Sequence, residues 1–175
     1  IDTALGACLS GVFEVSANAV TERGVRHELM TKGHQERLGG MARDAVADAG
    51  GFEGVERIGV TVGPGSFTGL RVGLAFALGL GAARQVPVVG ISTLDALAAS
   101  VDAQGLVVAA IDARRGQVYL RLFRDGVALG DAEALPIEEA RQKIGAEGEG
   151  GRVTIVGSGC AVLSEEAPVL ASAEL

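Results

Sequence analysis

Tryptophan is absent from this sequence, tyrosine occurs once, and aromatic residues make up 3% of its 175 positions. Platforms that stack single-stranded bases are built from aromatic side chains, so that mode of binding is excluded. Cysteine is almost as scarce. Cys8 and Cys160 lie far apart without CxxC spacing, and they read as small buried residues, not as a disulfide framework. Positive charge is also short: 15 Lys and Arg stand against 22 Asp and Glu, for a net charge of −7. An acidic chain has no broad phosphate-backbone footprint of its own, so any nucleic-acid contact falls mainly to a partner. No uncharged stretch reaches the ~20 apolar residues that span a bilayer. Residues 72–83 come nearest, and arginines bracket them. No secretory leader is visible.

What the chain does have is a globular composition, 48% apolar and 21% charged, at a length fit for one domain or two small lobes. Its most distinctive stretch is 61–84. An apolar run ends at Val62, and Gly63-Pro64-Gly65-Ser66 forces a sharp turn. A segment from Thr68 to Arg84 follows that is too long for a strand and apolar almost all round, broken mainly by Arg71. A helix of that kind must be covered on more than one side. Gly69, Gly73, Ala77 and Gly81 recur every four residues. Glycines within a helix each cost about 1 kcal/mol relative to alanine, so something must approach that strip closely.

Taken in order, residues 1–6 predict a strand end and a tight turn, 7–15 a returning strand, and 25–31 another. Gly33 and His34 open a helix on which Leu38, Met41, Ala42, Ala45, Val46 and Ala49 fall at amphipathic spacing, closed by Gly50-Gly51. Strands are expected at 55–62 and 87–90, then a helix capped by Ser92 or Thr93. The pattern restarts at Leu106 with a buried strand to Ile111, an alternating strand from Val118, a third over 127–135, a helix opened by Pro136, an acidic glycine-rich loop at 147–151, and a strand at 153–156. Ile1-Asp2-x-x-x-Gly6 matches Ile111-Asp112-x-x-x-Gly116, and Gly63-Pro64-Gly65 matches Gly157-Ser158-Gly159. Two landmarks in the same order point to an internal duplication. The second half stops soon after its glycine turn, and the chain opens on Ile1, not methionine. Further residues are therefore expected at both ends.

The catalytic motifs are incomplete. Gly63-Pro64-Gly65-x-x-x-Gly69 lacks the Gly-Lys-Ser/Thr of a Walker loop, having Leu70-Arg71 instead, and proline removes one N–H donor. Backbone amides there remain able to hold an anion. Asp2 and Asp112 end strands where actin-like ATPases keep a metal-linked acid. Ala113-Arg114-Arg115 is a poor phosphate hairpin, so Asp2, Gly63, Gly65, Ser66 and Asp112 together read as a vestigial nucleotide or anion site. His34 has Leu38 where a His-x-x-x-His metal pair needs its second histidine. Ser66 sits on a strand–turn–helix corner without the Gly-x-Ser-x-Gly of a nucleophile elbow. No catalytic residue and no metal site are assigned.

The run Gly63-Pro64-Gly65-Ser66-Phe67-Thr68-Gly69-Leu70-Arg71-Val72-Gly73, with Gly90-Ile91-Ser92-Thr93-Leu94 and Ile111-Asp112-Ala113-Arg114-Arg115-Gly116, resembles the bacterial TsaB (YeaZ) family. Ile1-Asp2-Thr3 and His34-Gln35-Glu36-Arg37-Leu38 fit it too. The resemblance spans nearly the whole chain and is weakest after Leu135; where the family has proline soon after the histidine, this chain has Gly39-Gly40. It implies an α/β fold of the actin-like ATPase (ASKHA) superfamily, with two duplicated RNase H-like lobes, 1–103 and 104–175, each a mixed sheet flanked by helices. It further implies a cytoplasmic, non-catalytic dimerisation subunit for forming N6-threonylcarbamoyladenosine at tRNA position 37. Such a subunit needs no cofactor and pairs with the catalytic paralogue TsaD and the ATPase TsaE. It forms a homodimer when alone and touches tRNA only indirectly. The partner interface is expected on His34, Leu38, Met41 and Ala45 of the first helix and Leu70, Gly73, Leu74, Ala77 and Gly81 of the second. An ATP-binding actin-like kinase and a metallo-glycopeptidase are the alternatives.

Overall fold

The computed structural model describes residues 1–148, 151–164 and 172–173, and it divides into two compact units, Ile1–Ile91 and Ser92–Leu175. The first unit opens with a hairpin of β1 (Ala7–Val15) and β2 (Val20–Leu29), antiparallel from Ala7↔Leu29 to Val15↔Val20 with a bulge at Val12/Phe13. The sequence places the second strand later, at 25–31; polar Thr21, Glu22 and Arg23 hide its start because that end of the hairpin is exposed on both faces. α1 (His34–Asp48) follows, then β3 (Ile58–Gly63), α2 (Phe67–Arg84) and β4 (Val88–Ser92), the last pairing with β3.

Residues 1–3 join these two pairs of strands. Asp2 and Leu9 exchange backbone hydrogen bonds at 2.9 and 2.8 Å, antiparallel to β1. On the other side the Ile1 amino group donates to the Gly59 carbonyl (3.0 Å) and the Ile1 carbonyl accepts from Thr61 N (3.2 Å). That slanted pattern is the parallel ladder. α1 lies against the hairpin and α2 against β3. Cys8, Leu38 and Met41 form one buried cluster, and Ile58, Val60 and Ala77 form another.

In the second unit α3 (Thr93–Ala99) precedes β5 (Leu106–Arg114) and β6 (Gln117–Arg124), which pair antiparallel. The expected strand over 127–135 is two short pieces, β7 (Val127–Ala128) and β8 (Glu133–Pro136), both on β6 and interrupted at Gly130-Asp131. α4 (Ile137–Glu147), β9 (Val153–Val156), α5 (Cys160–Leu163) and β10 (Ser172–Ala173) complete it. The expected loop at 147–151 lies partly outside the described residues. β9 runs parallel to β5, and β10 parallel to β9.

Every residue of β5 from Leu106 to Ile111 is buried, the mark of a strand covered on both faces. Leu106, Val108 and Ala110 pack with Leu120, Ala140, Ile144 and Leu163. Over the opposite face α3 buries Leu94 and Leu97, and its Asp95 pairs with Arg121 of β6 at 2.6 Å. Those contacts place α3 in this unit, whereas the sequence reading sets it with the first lobe.

Candidate functional site

The turn that reads as an anion loop is tied into its own unit. The Gly63–Pro64 peptide is cis. Ser66 N donates to the Ala4 carbonyl (2.7 Å), and Ser66 Oγ caps α2 by accepting from Gly69 N (3.2 Å). Gly65 abuts the Ala4 backbone so closely that any Cβ there would overlap it. Asp2 is occupied as well: its Oδ1 accepts from Thr61 Oγ1 and from Ala4 N, both at 2.8 Å. In the second unit Asp112 repeats this device, its Oδ1 accepting from Arg114 N at 2.8 Å, while its own N–H donates to Ser158 Oγ at 3.2 Å. Both aspartates thus close Asx-type turns two residues on. The amides of Ser66 and Gly69 are spent on the turn and the cap.

His34 is the first residue of α1 and is buried; its Nε2 has no hydrogen-bond partner among the described residues. No group of three or more His, Cys, Asp or Glu side chains is placed to hold a metal among the described residues. Burial pushes the Cys8 thiol up, and the neighbouring Glu28 carboxylate pushes it further, so Cys8 is an unreactive core residue.

The residues expected at a partner interface fall into two sets. His34, Leu38, Met41 and Ala45 are buried in the first unit, and so are Gly73, Ala77 and Gly81. The small-residue strip faces inward. A Cβ on Gly69 would overlap the Thr3 carbonyl oxygen, and one on Gly73 would overlap Thr3 Oγ1. A Cβ on Gly81 would lie 2.5 Å from Val88 Cγ2. Thr3 Oγ1 donates to the Gly69 carbonyl at 2.7 Å. The helix lies this close to the sheet because those positions lack side chains. As partner contacts, Gly73, Ala77 and Gly81 are therefore corrected to internal packing. Leu70 is half-buried and Leu74 is exposed.

The outward face of α2 carries residues the sequence reading did not select. Phe67 is 68% exposed and Leu78 52%. Thr68, Ala75, Gly79 and Ala82 are exposed, with half-buried Val72 between them, and among the described residues nothing outside the helix's own backbone and adjoining residues lies within 4 Å of a Cβ on Gly79. Residues 68, 72, 75, 79 and 82 alternate four and three apart, the seam spacing of a helix that packs on another helix. Beside them α1 contributes Gln35 and Leu38 to a groove of about 570 Å³ shared with Phe67, Arg71 and Phe76. A second groove of about 390 Å³, between β2 and α1, is lined mostly by charged residues, several already paired as Arg37–Glu28 and Arg43–Asp44. No helix among the described residues is long and apolar enough to cross a membrane.

Comparison with known proteins agrees with this architecture. A family model described as TsaD, tRNA N6-adenosine threonylcarbamoyltransferase, matches residues 11–145. The chain is 35% identical over 124 residues to the tRNA threonylcarbamoyladenosine biosynthesis protein TsaB of Escherichia coli, covering 68% of this chain and 51% of that protein. It is 38% identical over 128 residues to an uncharacterised protein of Mycobacterium tuberculosis, covering 73% of this chain and 59% of the relative. Of an uncharacterised Mycobacterium leprae protein it spans 36%. The chain thus spans between about a third and three fifths of these curated relatives. Among solved structures, a Pseudomonas aeruginosa protein described as similar to peptidase YeaZ superposes with a TM-score of 0.80 at 28% identity, covering 98% of this chain and 81% of that one.

The fold and these matches define an α/β protein of the actin-like ATPase type. The chain belongs to the tRNA N6-adenosine threonylcarbamoyltransferase family, and its relatives include TsaB (YeaZ) proteins.

Proposed function

We propose that this chain is a non-catalytic subunit in the formation of N6-threonylcarbamoyladenosine in tRNA, acting by pairing the outward face of α2 with a TsaD-like catalytic paralogue. The observation that carries this reading is the apolar face of Phe67, Leu74 and Leu78, exposed beside a small-residue seam on a chain of net charge −7. Exposed apolar helix faces of this kind mark sites of protein association. Sequence supports the subsidiary role: Leu38 stands where a His-x-x-x-His metal pair needs its second histidine, and Leu70-Arg71 stand where a Walker loop needs lysine and a hydroxyl. We further read the two units as copies of one RNase H-like lobe. In the second, β5 lies between antiparallel β6 and parallel β9; in the first, residues 1–3 bond antiparallel to β1 and in the parallel pattern to β3; Asp2 and Asp112 close the matching Asx turns. A TsaE-like ATPase joins the assembly, tRNA is held chiefly by the partner, and the free protein pairs with itself through the same face.

The test is reconstitution of tRNA modification with the TsaD-like and TsaE-like proteins, with and without this protein. Modification should require it, and Leu78→Asp should abolish both modification and co-purification with the paralogue while leaving the melting curve unchanged. Full activity with Leu78→Asp would overturn the reading.

A further inference from the structure

We propose that the first two turns of α1, from His34 to Gly40, form a hinged segment that swings away from β1 about Gly39-Gly40 while the rest of the first unit stays folded. α2 and α3 each begin on a serine whose Oγ accepts from a backbone N–H of the first turn, Ser66 from Gly69 N and Ser92 from Asp95 N. α1 begins on Gly33 in the left-handed conformation, which brings no side-chain acceptor. His34 is 7% exposed, and its Nε2 has no hydrogen-bond partner among the described residues. A buried unpaired nitrogen regains its hydrogen bonds when the turn that carries it moves into water.

Gly39 and Gly40 then interrupt the helix in its middle. The buried glycines of α2 are matched to close packing: a Cβ on Gly73 would overlap Thr3 Oγ1. Those of α1 are not. A Cβ on Gly39 would meet Phe76 Cε2 at an ordinary 3.9 Å, and outside the helix's own backbone and adjoining residues no described atom lies within 4 Å of one on Gly40. Two adjacent glycines with no neighbour that excludes a side chain weaken the helix at a point where it can bend. The segment is held down by Leu38, buried against Cys8 and Met41, and by the bond from Arg37 Nε to Glu28 of β2 at 2.8 Å. Both members of that ion pair are exposed, so it is a weak latch. Lifting the segment carries Leu38 off Cys8, which is otherwise fully buried. The open form lacks the surface that α1 presents when closed, so the swing is a built-in off state for that surface.

The opening needs no partner and is read on the protein alone. The experiment follows alkylation of Cys8 by iodoacetamide in the whole folded protein, located by peptide mass spectrometry, with Cys160 of the second unit followed in the same sample. At low reagent concentration the rate measures the open fraction. Cys8 should react ahead of global unfolding, at a rate that barely rises in low urea, because a two-turn opening exposes little surface. Gly39→Ala and Gly40→Ala should each slow that reaction by roughly fivefold and leave Cys160 unaffected. Gly79→Ala adds the same helix propensity to α2, outside the segment, and should leave the Cys8 rate as it is. Alkylation of Cys8 only in step with global unfolding, climbing steeply with urea, would overturn the proposal. So would an equal slowing by Gly79→Ala and Gly40→Ala, which would make unfolding of the whole unit the route. A Cys8 rate unchanged in all three variants would overturn it too, since the thiol would then be uncovered by motion of the hairpin.

Discussion

Gly69→Ala and Gly79→Ala make the same chemical change on one helix, and the structure gives them opposite signs. Helix propensity alone favours alanine over glycine by about 1 kcal/mol at either position. At Gly79 no described residue outside the helix's own backbone and adjoining residues lies within 4 Å of the added methyl, so that gain should appear nearly whole. At Gly69 the methyl would overlap the Thr3 carbonyl oxygen, with the carbonyl carbon at 3.2 Å and Ser66 Cβ at 3.3 Å. Both neighbours are fixed: Thr3 Oγ1 donates to the Gly69 carbonyl (2.7 Å), and Ser66 N donates to the Ala4 carbonyl (2.7 Å). Moving α2 outward breaks the buried bond from Thr3, at about 1–3 kcal/mol for the group left unsatisfied. Strain in the packing that remains adds about 1–3 kcal/mol. After the propensity gain, Gly69→Ala should destabilise the protein by roughly 1–5 kcal/mol. Urea unfolding followed by far-ultraviolet circular dichroism separates the cases, since the sequence holds no tryptophan for fluorescence. Gly69→Ala should lower the midpoint and Gly79→Ala raise it. Shifts of the same sign would refute the assignment of inward and outward faces. Gly79→Ala should at the same time weaken pairing, because the methyl stands on the seam a partner helix must approach.

Asp2→Ala removes the acceptor for Thr61 Oγ1 and Ala4 N and leaves a buried hydroxyl unpaired, which should cost about 2 kcal/mol; Asp2→Asn keeps an acceptor oxygen and should recover most of the loss in a thermal melt. The Cys8 thiol is held above its ordinary value of 9.0 by burial first and by Glu28 second. A folded thiol that titrates above its unfolded value leaves stability complete below about pH 9 and lets it fall as pH rises past that point. Cys8→Ala should therefore be less stable at pH 7, by about 1 kcal/mol for the lost packing, and the gap should narrow by pH 10. Parallel stability curves for the two proteins would count against the burial of the thiol as the cause.

The sequence carried the elements with strong local signals. The glycine-proline turn and nearly the full length of α2 were legible in 61–84, and the helices from His34 and Thr93 were legible from their opening residues and spacing. β2 was shortened because its outer half is exposed on both faces, so hydrophobic alternation has nothing to report there. The paired roles of Asp2 and Asp112 were half legible: the repeat shows that they correspond, while only the hydrogen bonds to Ala4 N and Arg114 N show what they do.

The deeper gap lies in α2 itself. A helix apolar all round has no hydrophobic stripe, so its sequence does not say which row meets the sheet and which meets a partner. The four-residue strip of Gly69, Gly73, Ala77 and Gly81 was read as close packing, but its residues were shared between sheet and partner. The contacts of Thr3 and Val88 settle that strip as inward. Once one row is fixed, the opposite row follows from helical geometry, at positions such as Thr68, Ala75, Gly79 and Ala82. The two rows differ in spacing for a physical reason. A strip at four-residue intervals drifts slowly around the axis and follows a twisted sheet, whereas alternating three and four keeps one line facing another helix. Small residues serve both rows, and only the spacing distinguishes the purposes.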